Sequence, residues 1–391
     1  MPSPGSHLPI NWVNGMKINK EHLIGQDNSF QNMLFNGLAS VLTDVNFGLL
    51  PPHNFQGDPF NVILSEGWVT VTRCQAILRS GIRVDISEDN HLETLRQPIS
   101  GLSMQSSECF VILKVDPFRR QPFGEPSSEE FPVRHPHVVP FYQINIVPKE
   151  ELNVEYFDHN AIPLAKFVNS YQGMSQDRSY IPPCTTIRCY RALWDRYKIC
   201  EKLLSLIESD LLKIREKTIE KNRMTGDSNQ LSKDALELSS RLLDFVTLNK
   251  ATFRMLLPYA PPIHTVAFFS TMGGVFNNAL SRAKDKDAIL KYFTTWATTN
   301  SPSDLQELVE KAEKVVFNPL DLQESFRVIE SFLTNFQYIF EKLKDLQFRD
   351  IWDPKGVIDH SRNPIDISNN LKKSPIIRKN HDEPKEGEWY K

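Results

Sequence analysis

With 391 residues, 40% of them hydrophobic and 24% charged, the chain is too long for one ordinary core and has the make-up of a soluble globular protein of two or three domains. Its formal charge of −3, with no dense Lys/Arg stripe, argues against nucleic acid or an anionic membrane as partner, since both require concentrated positive charge. Five irregularly spaced cysteines (Cys74, Cys109, Cys184, Cys189, Cys200) fit a reducing compartment, and residues 1–12 lack the basic-then-apolar pattern of an export signal.

In chain order, residues 61–73 read as two strands broken at Glu66 and Gly67. There Val69 and Val71 alternate with Trp68, Thr70 and Thr72, the period of a half-buried strand. Asp85, Glu88 and Asp89 follow as solvated turn acids. Residues 109–115, 141–147 and 162–168, rich in β-branched and aromatic side chains, predict further strands. Between the first two of these lie Pro117, Pro122, Pro126, Pro132 and Pro136, with an acidic run over 127–130. Proline removes ladder donors, so 116–137 is expected to be a long exposed loop, with Phe123 either anchoring a partner or clamped on its own domain. Short strands separated by polar turns predict an antiparallel β-sandwich rather than a βαβ sheet.

Near Tyr190 the composition changes: proline becomes rare and helical periodicity takes over. Leu193, Tyr197, Cys200, Leu204, Ile207, Leu211 and Ile214 recur at alternating steps of four and three. Leu322, Phe326, Ile329, Leu333, Phe336, Phe340 and Leu343 do the same, and Leu231, Ala235, Leu238, Leu242 and Phe245 form a shorter series. Such heptads place apolar side chains in one seam, to be buried against another helix of the chain or against another subunit. Residues 224–229 break the first long helix from the second; Ser301-Pro-Ser-Asp304 and Asn318-Pro-Leu-Asp321 each offer an N-cap, a proline at the first helical position and an early acid. No Asp, Glu, Lys or Arg occurs over 255–281, yet prolines, glycines and asparagines interrupt it, so a helix buried on most sides is expected rather than a membrane span. The reading is α+β: a β-sandwich over 1–189, a helical bundle over 190–347 and a polar tail over 348–391.

Signatures of chemistry are missing. The sequence holds no phosphate-binding loop, dinucleotide fingerprint, zincin motif or nucleophile elbow, and no catalytic residue, metal ligand or cofactor is assigned. Cys184 and Cys189 with His135 and His137 lack the second tight pair that structural zinc wants, and Cys200 sits on a heptad seam as a small hydrophobe. His22 has no recognisable nucleophile to serve, which favours packing or an interface. A metal-dependent enzyme on the sandwich, using His135 and His137, stays as an alternative.

The segment 10–27, with Trp12, Gly15, Met16, Ile18, His22 and Gln26, resembles the opening of the TssK family, baseplate subunits of bacterial type VI secretion systems. Phe47-Gly-Leu49 ahead of the first strands, Tyr180-Ile-Pro-Pro183 before the helical part and the helix over 320–343 follow in the family's order. This resemblance implies a β-sandwich shoulder, a helical neck and a homotrimer. It also implies cytoplasmic assembly at the inner membrane, wedge partners of the TssF and TssG kinds, and contact with the sheath and a membrane complex. Trp12, Met16, His22 and Leu23 are then candidates for the wedge contact or for anchoring the N-terminal arm. Leu193, Leu204, Ile207, Leu211, Phe326, Ile329, Leu333, Phe336 and Phe340 become the bundle or oligomer seam. Residues 348–391, short and polar, are not expected to form the family's C-terminal head. A divergent, Bacteroidetes-like system is expected, in which the tail or another protein makes the membrane link. A phage-tail-like receptor-binding or fibre subunit is the rival reading.

Overall fold

The structure is a computed structural model that describes residues 7–52, 58–87, 95–99, 107–127, 129, 131–152, 159–170, 173–225, 230–297 and 301–346. The acids Glu88 and Asp89 and the tail over 348–391 lie outside these residues. A first helix, α1 (Lys20–Ala39), precedes the strands, in a segment whose sequence pattern does not predict it. Then come β1 (Gly48–Leu49), β2 (Phe60–Ser65), β3 (Trp68–Ile77), β4 (Arg83–Ile86) and β5 (Arg96–Pro98), with β3 pairing antiparallel to the other four. Glu66 and Gly67, at φ 51° and 77°, make the two-residue hairpin turn where the sequence places the break. Asp85 lies within β4, opposite Gln75, and is not a turn residue.

The second antiparallel sheet runs β7 (His137–Pro148), β6 (Glu108–Phe123), β8 (Ala161–Ser170), β9 (Gly173–Gln176). β6 is buried on both faces, from Cys109 to Leu113. Phe110 and Ile112 pack with Val147, Ala161 and Tyr180, beside Leu320 from the helical half. The Tyr142 hydroxyl of β7 hydrogen-bonds the Asp85 backbone of the first sheet, and burial pushes its pKa up to about 12.

The prolines of 116–137 do not make one long loop. The register shifts at Asp116/Arg120 around Pro117, then resumes with Arg120 opposite Pro140 and Phe123 opposite His137. Past Val115, whose amide still bonds the Asn160 carbonyl at 3.0 Å, β6 has no further partner in β8, so among the described residues each strand of this extension has an unpaired edge where proline takes no ladder donor away. Phe123 ends the strand half-buried, and the Gly124 carbonyl lies 2.7 Å from His135 Nδ1.

Seven described helices include α2 (Arg191–Thr225), α3 (Gln230–Met255), α4 (Pro262–Arg282), α5 (Lys286–Thr294), α6 (Pro302–Glu313) and α7 (Gln323–Asp345). α2 and α3 form a hairpin fastened by the stacked rings of Tyr197 and Phe253, 4.8 Å between centroids, and by a hydrogen bond from Tyr197 to the Phe253 carbonyl. α7 runs parallel to α2, in step with it: Arg196 meets Glu330 at 3.0 Å and, further along both helices, Asp210 meets Lys344 at 2.8 Å. Ser301 caps α6 as its sequence predicts, accepting from the Asp304 amide. Asn318 and Asp321 instead accept from Leu320 and Gln323, two residues on, so they shape a turn and α7 begins only at Gln323.

The uncharged stretch of α4, residues 262–281, is packed against the end of α6. Ser270 donates to the Glu313 carbonyl at 2.5 Å, Asn277 to the Glu313 carboxylate at 2.6 Å, and a Cβ on Gly273 would stand 2.9 Å from the Glu313 amide. Only glycine admits that approach. No described helix is long and apolar enough to cross a membrane.

One short segment joins strands to helices. Pro183 accepts from the Leu49 amide at 2.8 Å, Thr185 donates to the Leu49 carbonyl at 3.1 Å, and Ile181 accepts from the Leu322 amide at 3.2 Å. Tyr180 donates to the Leu320 carbonyl at 2.7 Å. Beside it lie Lys166, Glu108 and Asp177, with Lys166 at 3.0 Å from Glu108 and 3.7 Å from Asp177. Burial pushes the half-buried Asp321 carboxyl up, whereas Glu108, hydrogen-bonded by Lys149, is held below its ordinary value. With a raised folded-state pKa, Asp321 holds its proton longer in the folded chain, so its contribution worsens as pH rises from the unfolded value of about 3.9 through the folded one. Asp321→Asn, which can still accept from Gln323, is therefore expected to melt higher than the native chain at pH 7. The gap should close below about pH 3.9 in a melting series, where both states of the native residue are protonated.

Candidate partner-binding surface

The N-terminal arm and α1 form the most densely exposed apolar surface among the described residues. Leu8, Trp12, Val13 and Ile18 on the arm, Leu23, Phe30, Met33 and Leu34 on the helix, and Val41 just beyond it are all exposed. Single exposed apolar residues are ordinary, but a run of this density marks a contact surface.

Local chemistry holds the arm in place. Asn19 and His22 form a reciprocal capping box: Asn19 Oδ1 accepts from the His22 amide at 3.0 Å, and His22 Nδ1 accepts from the Asn19 amide at 3.3 Å. Gln26 Oε1 accepts both from the Trp12 indole at 3.2 Å and from the Ile10 amide at 3.4 Å, folding the arm back on the first turns. The Trp12 and His22 rings meet edge to face at 6.2 Å. α1 is pinned to β6 by Arg120, which donates to Asp27 at 2.6 Å and to Asn28 at 2.8 Å, and by Phe118 against Phe35 at 6.3 Å. A shallow groove of about 360 Å³ runs beside this pin, lined by Leu23, Ile24, Gln26, Asp27, Phe30 and Arg120.

Of the four predicted residues Trp12 and His22 meet, and the four divide by role. Trp12 is 46% exposed and Leu23 60%, both offering apolar surface. Met16 is half-buried, and His22 is engaged in the cap. Sequence reasoning missed Phe30, Met33 and Leu34; the Asn19-to-His22 spacing at a helix start was the signal that could have announced α1.

The seam residues Leu193, Leu204, Ile207, Leu211, Phe326, Ile329, Leu333, Phe336 and Phe340 are all buried within the single chain, none more than 5% exposed. Their apolar surface is satisfied by α2, α7 and the helices around them, so a contact between copies has to use other residues. Cys184 and Cys189 are buried beside each other, away from water, with burial raising the Cys184 thiol pKa. Among the described residues no group of three or more His, Cys, Asp or Glu is placed to hold a metal ion.

No protein-family model matches the chain, and no curated protein does. Solved structures do. A crystal structure of TssK aligns over 85% of this chain and 69% of its own, with a TM-score of 0.50 at 12% identity. The chain has the fold of TssK. TssK from the EAEC type VI system in complex with a nanobody, and the TssK–TssF–TssG baseplate subcomplex, align with TM-scores of 0.47 each at 13% identity. They cover 81% and 85% of this chain and 98% of each of theirs. The TssK-like order, antiparallel sheets and then helices, is the one built above from the residues.

Proposed function

We propose that this protein is a structural subunit of a type VI secretion baseplate, acting as a homotrimeric adaptor between wedge proteins of the TssF and TssG kinds and the membrane-anchoring complex. Residues 1–189 serve as the shoulder and 190–347 as the neck, in the cytoplasm at the inner membrane, and either the tail over 348–391 or another protein makes the membrane link. The likeness to TssK over most of the chain carries this reading, and the apolar arm supports it. An arm that is folded back and capped, yet shows Trp12, Val13, Ile18 and Leu23 to water, has the character of an interface anchor.

The test is co-expression with the TssF- and TssG-like proteins of the same gene cluster. The full chain is expected to co-purify with them. Trp12→Ala with Leu23→Ala should weaken that capture by roughly tenfold or more, as loss of an aromatic anchor does. The melting temperature should stay within about 2 °C of the native chain, because surface substitutions change stability by only about 0.5 kcal/mol. Undiminished capture would remove the arm from the wedge contact, and no capture by the native chain would sink the adaptor reading.

A further inference from the structure

Although no Asp, Glu, Lys or Arg occurs over 255–281, the fold leaves one face of α4 open to water. Ala267, Thr271 and Asn278 are exposed and Gly274 is half-buried. At 3.6 residues per turn these four fall within about 60° of one another on the cylinder. A helix face turned to water ordinarily carries charge; this one is neutral and small-sided throughout. It is the floor of a groove of about 660 Å³, since α4 packs between α3 and α6 and both contribute to the lining. On one wall α3 supplies Asp244 and, a turn later, Leu248, which is 80% exposed. On the other wall α6 ends at Glu313. Its Oε2 accepts from Asn277 at 2.6 Å, and its Oε1 stands 3.7 Å from where a Cβ on Gly274 would lie. Among the described residues Asp244 has no hydrogen-bond or ion-pair partner, and the cation of the lining, Arg241, is already engaged by Glu237 at 2.9 Å.

We infer that this groove is the docking site for a basic amphipathic helix of an unlike partner protein, with small or apolar residues along its ridge and lysine or arginine on both flanks. The contact is separate from that of the N-terminal arm and goes beyond the baseplate reading above. Three observations select this occupant. The floor has no side chain at Gly274 and only short ones beside it, so the axis of a facing helix can come close. Long cationic side chains then lay their stems over Leu248 and Phe245 and bring their heads to the carboxylates of Asp244 and Glu313, one on each wall. An acidic helix would meet like charge on both sides. Cations on the exposed faces of the chain's own helices pair with glutamates about one turn away, as Lys198 does with Glu201, Lys311 with Glu307 and Arg327 with Glu324, which favours an unlike partner over a second copy.

Fluorescence anisotropy of the full chain with two synthetic probes tests this. One is a helical peptide of about 18 residues with an alanine ridge flanked on both sides by lysines, and the other carries glutamate at every lysine. The lysine peptide is expected to bind saturably at low ionic strength, and more weakly as salt is added, whereas the glutamate peptide should not bind. Gly274→Leu, which fills the floor, and Asp244→Lys, which reverses the charge of one wall, should each weaken the lysine peptide by at least about tenfold. Circular dichroism and melting should stay native, because a Cβ at Gly274 meets nothing closer than 3.7 Å and Asp244 is exposed. Both variants should keep the native mass in light scattering and the native capture of the TssF- and TssG-like proteins, which separates this contact from the baseplate reading. Failure of the native chain to bind the lysine peptide would overturn the inference. So would equal binding of the two peptides, or binding that neither substitution weakens. A mass that falls in either variant would give the groove to a second copy and overturn the unlike partner.

Discussion

Leu333→Asp is expected to leave little or no folded protein. Leu333 is fully buried midway along α7, between Ile329, Phe336 and Phe340 and against the seam of α2. Removing its side chain alone forfeits about 2–5 kcal/mol of packing. The aspartate then brings a carboxylate into an apolar seam, which costs several kcal/mol more or forces it to stay protonated. Against a total stability of about 5–15 kcal/mol, the sum is close to the whole. The measurement is the soluble fraction on expression, with urea unfolding of whatever is recovered. Leu333→Ala should fold and lose only the packing share. A soluble Leu333→Asp protein with unaltered unfolding would show that the α2–α7 seam is not the core of the helical half.

Gly48→Val is expected to cost at least about 3 kcal/mol, from two effects that no rotamer relieves. Gly48 has φ 123°, where a β-branched residue is strained. A Cβ there would stand 2.2 Å from the Pro183 carbonyl oxygen and 2.6 Å from the Cys184 amide nitrogen, backbone atoms that cannot swing aside. Relief requires parting β1 from the Pro183–Thr185 backbone and losing the hydrogen bonds of Leu49 to Pro183 and Thr185. Loss of stability in urea should therefore come with faster amide exchange at Leu49 and Thr185, while the α2–α7 seam keeps its protection until global unfolding. Native-like exchange at Leu49 would contradict the tight approach.

Much of the fold is legible because it rests on short-range rules. The Glu66–Gly67 hairpin, the Ser301 cap and the seams of α2 and α7 each follow from one periodicity or one turn. What the sequence concealed depends on edges and on cover. Pro117, Pro122 and Pro140 argue against strands only if both edges are paired; β6 and β7 extend past the sheet as a two-stranded ribbon, so the rule does not apply there. Asn318 and Asp321 have the letters of a helix start but spend their side chains on the turn before it. α1 is hidden for a related reason: its apolar residues face outward and its buried ones are polar, so inward burial gives no stripe to read. The heptads, for their part, specify a seam without saying whether its two walls belong to one chain or to two. Of the four predicted contact residues, Trp12 and Leu23 could be picked out as apolar surface, but His22 could not be told from an interface residue until its cap to Asn19 was seen.

The splice at residues 180–185 has a mechanical consequence. On one side it holds β1 through Pro183 and Thr185, and on the other it holds the start of α7 through Tyr180 and Ile181. A pull on either half would load these bonds together across a buried proline pair, not peel them one after another, so the two halves should yield as a unit. A part with such a rivet can pass on a sudden displacement without stretching at its waist.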